Sequence, residues 1–279
     1  MFIINESLFT KAGDIADAGS KGRRFHRGRN NLSGAVLDWG AQANIPSDPP
    51  YWVDLFDSSV RIGVIAAKKT MKPALLVWGL MAGIAASYYF VPASHGLFAG
   101  LIAVQKWMGV LFPSLGMGLS VGLLVEGVKV AVSKNKHWTR ENTINALFNF
   151  AVFGMMGVTQ YYRYAFQENF FGTGTSWRVL MPKVMFDQFV WTVFFANPYQ
   201  CILYLWRNKG FSWKRVGSEV FPFKAFWGTR MLPVLISNWA FWIPMASIVY
   251  CFPSELQVPL AILAVSMWVM LLSVLTQKE

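Results

Sequence analysis

Six stretches of this chain, residues 73–92, 107–125, 144–162, 188–206, 231–252 and 256–275, contain no Asp, Glu, Lys or Arg. At 19 to 22 residues each, they are long enough for a helix to cross a hydrocarbon core about 30 Å thick. Composition agrees. Charged residues make up 14% of the 279 positions and hydrophobic ones 54%, whereas a soluble domain carries charge at roughly a quarter of its positions. Disordered, collagen-like and disulfide-framework classes are excluded, and so is an ordinary soluble enzyme. The expected fold is all-α: a polytopic transmembrane helix bundle of about six spans with a polar N-terminal extension.

The formal net charge is +11, from 25 basic and 14 acidic residues. The basic residues lie between the apolar stretches, where orientation signals and contacts with anionic phospholipid belong. Only the run GSKGRRFHRGRN suggests nucleic acid, and a basic arm near anionic lipid accounts for it, so no nucleic-acid partner is expected. Cys201 and Cys251 lie in apolar runs and read as small hydrophobes, not as a disulfide or a metal pair.

Three regions follow from composition. Residues 1–72 hold 10 Lys/Arg and 7 Asp/Glu with clusters such as NIPSDPP, and no apolar run there is long enough to span. They form a polar, basic extension in which Tyr51 to Ile65 could lie along a membrane surface. Its arginines would suit a presequence, but Glu6, Asp14 and Asp17 are acids that such segments avoid, so retention is expected. A polar segment of this kind buries too little apolar surface to order itself and needs a partner. Residues 73–106 add a span and a loop, and residues 107–279 form the remaining bundle.

With six spans both termini share a side. That side would carry 21 Lys/Arg against 4 on the other. Basic residues mark the side that is not translocated, so the termini are expected in the matrix or cytoplasm.

Small residues recur four apart at Gly79 and Gly83, at Gly96 and Gly100, and at Gly118 and Gly122. Such pairs strip one helix face so that backbones approach closely in lipid. Polar residues inside spans are costly and each asks for a role. Asp187 and Gln188 open the fourth span, either as pathway groups or as a boundary pair with Lys183 one turn earlier. Glu126 and Lys129 sit three apart and share a helix face. Asn149, Gln160, Asn197, Gln200 and Asn238 suit hydrogen bonds between helices. Pro198, Pro233, Pro244 and Pro259 lie within or beside spans and kink them, and the stretch 231–252 could be interrupted at Pro233 and Pro244. There is no GxxxxGK[ST], GxSxG or HExxH, and His26, His95 and His137 are scattered. No catalytic, cofactor or metal residue is assigned.

The C-terminal part resembles the family of the 22-kilodalton peroxisomal membrane protein and its mitochondrial inner-membrane relatives. In order come KVMFDQ (Lys183 to Gln188), Pro198, the amphipathic FSWKRVGSEVFPFKAFW, NWAFWIP (Asn238 to Pro244, with Trp239 and Trp242), CFPSELQVP with Pro253, and MWVMLLS with Trp268 and Ser273. The resemblance covers roughly residues 107–275. It implies a small helix bundle in an organelle membrane, without enzymatic activity or cofactor, tied to small-solute channels or to inner-membrane integrity. Three positions where the family carries amides are apolar here, at Ala246, Val249 and Val269. A wet pathway needs polar groups facing it, so these departures favour a scaffold. The expectation is an accessory subunit of a mitochondrial inner-membrane complex, respiratory or ATP synthase, holding its partner subunits through residues 1–92. The alternative is a free-standing small-solute channel, and a peroxisomal location is the weaker one.

Overall fold

A computed structural model describes residues 49–133 and 135–276. Among them every regular element is helical. Helix α1 runs from Pro49 to Phe90, 42 residues, or about 63 Å at 1.5 Å per residue. A turn at Pro92–Ser94 leads into α2, His95–Met108. Gly109, at φ 56°, breaks the chain before α3, Leu111–Val132. Then follow α4, Arg140–Phe171; α5, Trp177–Asn208; the short α6, Trp213–Val220; α7, Phe223–Tyr250; and α8, Ser254–Thr276.

Four of these are long and apolar enough to cross a membrane: Phe56–Phe90, Leu111–Val132, Trp177–Asn208 and Phe223–Tyr250. The shorter Ser254–Met270 is apolar as well. The chain is a multi-pass, all-α membrane protein. The stretch 144–162 falls within α4, where amides and Arg163 dilute the apolar character. The stretch 231–252 is not interrupted at Pro233 or Pro244, since both prolines sit in a helix that continues to Tyr250.

Two boundaries move. Composition changes at Lys72–Pro73, yet α1 passes through that point: its buried stripe Ser59, Ala67, Ala74, Val77 and Met81 keeps helical spacing on both sides. Tyr51 to Ile65 is therefore the first part of α1 and not a separate surface segment. The expected loop before residue 107 is likewise the helix α2. Residues 1–48, including the basic run, lie outside the described residues.

Contacts fix the directions. A Cβ at Gly63 would meet Ile236 Cβ at 2.8 Å, and the Tyr89 hydroxyl donates to the Cys251 carbonyl. Helices α1 and α7 therefore lie side by side and parallel. α3 and α4 are antiparallel: a Cβ at Gly122 would meet the Ala146 carbonyl at 2.7 Å, and one at Gly118 would meet Phe150 at 3.0 Å. At Gly157 the close neighbour is the Pro113 carbonyl. Antiparallel α5 is tied to α4 by Tyr204 Oη donating to Asn149 Oδ1 at 2.8 Å and Tyr199 Oη to the Val152 carbonyl at 2.9 Å. Helix α8 sits centrally, against α1, α2, α3, α4 and α7. Its Trp268 stacks on Phe241 of α7 with ring centroids 3.8 Å apart.

Within three of these helices the backbone widens to π geometry, at Leu119–Leu124, Phe186–Ala196 and Trp227–Met231. The second and third end two residues before Pro198 and Pro233. A proline has no N–H to return to the preceding turn, and π bulges are one way a helix absorbs that gap.

Candidate functional site

The longest π segment places Asp187, Gln188 and Thr192 of α5 inside the bundle. Opposite them α4 presents Gln160, Arg163 and Gln167, spaced three and four residues apart and so on one face. Tyr250, at the end of α7, completes the cluster.

Arg163, only 4% exposed, organises the group. Its Nη1 donates to Asp187 Oδ1, to Tyr250 Oη at 2.7 Å and, more loosely, to Gln167 Oε1 at 3.4 Å. Its Nε donates to Gln160 Oε1 at 2.6 Å, and the guanidinium lies 4.2 Å from the centroid of the Tyr164 ring. Tyr250 Oη in turn donates to Gln167 Oε1 at 2.5 Å. The second oxygen of Asp187 accepts from Gln188 Nε2 at 3.2 Å. An ion pair removed from water persists when hydrogen bonds satisfy its remaining lone pairs and protons, and here Asp187 Oδ2, Arg163 Nε and Arg163 Nη1 all have partners. The cluster pins α4, α5 and α7 to one another.

Asp187 thus does not pair with Lys183. Arg163, 24 residues earlier on α4, takes that place, while Lys183 offers its backbone carbonyl to Gln167 Nε2 at 3.2 Å. Adjacency along one helix suggested Lys183, but Arg163, within the neighbouring antiparallel α4, faces Asp187 across the helix interface.

Beside the cluster is a cavity of about 80 Å³ between α3, α4, α5, α7 and α8. Its polar wall comes from α4 and α5, with Gln160, Arg163, Asp187, Gln188 and Thr192. Asn238 and Trp242 of α7 also line it. The facing wall is apolar, with Ala246, Val249, Ala261, Ile262 and Val265. Two of the positions where the resemblance would place an amide, Ala246 and Val249, therefore face this space.

The other residues singled out from sequence lie elsewhere. Glu126 is buried and accepts from Lys129 Nζ at 2.6 Å and from Asn142 Nδ2 at 3.0 Å. Asn142 also closes the capping box with Thr139 that starts α4, so this pair anchors a helix junction. Trp239 Nε1 donates to the Gln188 carbonyl at 2.8 Å, holding the π segment from α7. Asn197 Nδ2 donates to the Met231 carbonyl at 3.1 Å. Pro244 lies inside α7, Pro253 in the turn before α8, and Ser273 in α8, its side chain outside the description. Gly118 and Gly122 are filled by α4, whereas a Cβ at Gly79, Gly83, Gly96 or Gly100 would meet nothing within 4 Å.

Among the described residues no group of three or more His, Cys, Asp or Glu could hold a metal ion. No family model, characterised protein or solved structure matches the chain.

Proposed function

We propose that this chain is a non-catalytic structural subunit of a larger membrane assembly, with the mitochondrial inner membrane as its location and its termini on the matrix side. One observation carries the reading. Within the bundle, small residues occur where helices need close approach, at Gly63, Gly118, Gly122 and Gly157. On the outer faces of α1 and α2 the same device recurs at Gly79, Gly83, Gly96 and Gly100, with none of the described residues against it. Lipid gains little from a smooth backbone face; another helix gains close packing. The partner is thus a helix of a neighbouring subunit.

The resemblance to the 22-kilodalton peroxisomal membrane protein family supports an organelle membrane, and the preponderance of Lys and Arg at one end supports the orientation. Trp213, Phe221 and Phe223 are exposed beside Lys214 and Arg215, a combination suited to an interface rich in anionic lipid. The test is native size after mild-detergent extraction, with mass spectrometry of what travels with the chain. An assembly of much higher mass than the monomer is expected, and Gly79→Leu with Gly83→Leu should release the chain from it. Migration as a monomer or small homo-oligomer would overturn the reading.

The cavity favours a second reading, a small-solute channel with Asp187, Gln188 and Asn238 along its path. It requires solute flux in liposomes that changes in Asp187→Asn. Liposomes that stay sealed at high protein content would eliminate it.

A further inference from the structure

Of the five buried side-chain polar atoms without a hydrogen-bond partner among the described residues, two belong to residues that line the cavity, Gln188 Oε1 and Trp191 Nε1. Neither can be relieved by turning a side chain over. Gln188 Nε2 donates to Asp187 Oδ2, and a reversed amide would set oxygen against carboxylate. Oε1 is therefore committed as an acceptor. An indole N–H is a donor only. Gln188 is 2% exposed, and a buried polar atom without a partner is costly enough that native structures rarely keep one unfilled.

The surroundings restrict what can fill it. Arg163 and Asp187 neutralise each other at the polar wall, so neither an anion nor a cation is favoured there. The facing wall of Ala246, Val249 and Ile262 accepts carbon. A volume of about 80 Å³ is several times the roughly 10–15 Å³ that a single water needs, so the space admits more than one polar group.

We propose that this cavity is a binding site for a small neutral polyol, donating one hydroxyl to Gln188 Oε1 and accepting from Trp191 Nε1 with another. Its carbons rest on the Ala246 and Val249 wall. Binding requires neither passage through the membrane nor an assembled complex, so it stands or falls apart from both readings above.

The test uses the full chain in lipid nanodiscs with ¹⁵N-labelled tryptophan, glycerol as the probe and inorganic phosphate as the charged comparison. The Trp191 indole resonance is assigned as the one lost in Trp191→Phe. A saturable shift of that resonance with glycerol, absent with phosphate, is the expected result. Ala246→Leu fills the space and should abolish the shift. Val249→Ile, a gentler filling, should weaken it and serves if the first variant does not fold. A shift that stays linear in glycerol, or persists in the filled variants, overturns the proposal. So does a Trp191 indole that exchanges with water and ignores glycerol, which would make the cavity a hydration site only.

Discussion

At the scale of single residues, the arrangement around Arg163 decides how costly each substitution is. Asp187→Asn leaves a buried guanidinium without its counter-charge, and breaking such a pair typically costs about 3–5 kcal/mol. Replacing both partners by apolar residues, as in Arg163→Met with Asp187→Leu, removes the stranded charge and should recover most of that loss. Thermal unfolding in detergent micelles checks this: the single variant should melt well below the double one. Equal melting points would mean that the pair contributes nothing to holding α4 against α5. Sequence alone points to Asp187 and Gln188, because polar residues stand out in an apolar run. Arg163 is harder to see, since it follows a charge-free stretch and reads as an ordinary interfacial residue. The usable signal is the spacing of Gln160, Arg163 and Gln167, three polar groups on one helical face that must turn toward something buried.

At the scale of elements, glycine separates contacts made within the chain from those left open. Any Cβ at Gly157 would overlap the Pro113 carbonyl, and backbone cannot retreat as a flexible side chain can. Gly157→Ala should therefore push α4 off α3 and lower stability by about 1–3 kcal/mol. Gly79→Ala and Gly83→Ala meet open space and should leave the unfolding of the isolated chain unchanged. Measuring all three by thermal unfolding tests the distinction, and a similar loss at Gly79 would mean that α1 packs differently. The small-residue spacing is legible in sequence, but which pairs are filled internally is not, because that depends on which helices become neighbours. The π segments are also hidden. Pro198 and Pro233 mark where hydrogen bonding must change, yet the sequence does not distinguish a kink, a break or a widened turn. In α5 and α7 the helix widens and continues, which is how Asp187 turns inward and why the stretch from 231 stays whole. The extent of α1 was obscured for a related reason: Lys68, Lys69 and Lys72 are exposed, so a charged outer surface can share one helix with an apolar buried stripe.

At the scale of the whole molecule, the antiparallel contacts sort the chain into two ends. Lys129, Arg140 and Arg207 lie where α3 ends, α4 begins and α5 ends, at one end of the bundle. The opposite end gathers the close of α1, the close of α4 and the turn between α7 and α8, with Cys251 exposed in that turn. Cys201 lies within α5, inside a candidate span, so Cys251 is the thiol within reach of an aqueous reagent. If the basic end faces the compartment that is not crossed, a membrane-impermeant maleimide should label Cys251 only from the opposite side of sealed vesicles. Desolvation by burial pushes the Cys251 thiol above its ordinary pKa. The thiolate is the reactive form, so labelling should be slow near neutrality and speed up as pH rises, with no faster phase on the acid side. Oriented vesicles of both polarities, probed in a Cys201→Ser background across that pH range, separate the possibilities. Labelling from the basic side would reverse the orientation drawn from charge while leaving the bundle intact. Equal labelling from both sides would place the α7–α8 turn within a water-filled passage, and would move the weight from structural subunit to channel.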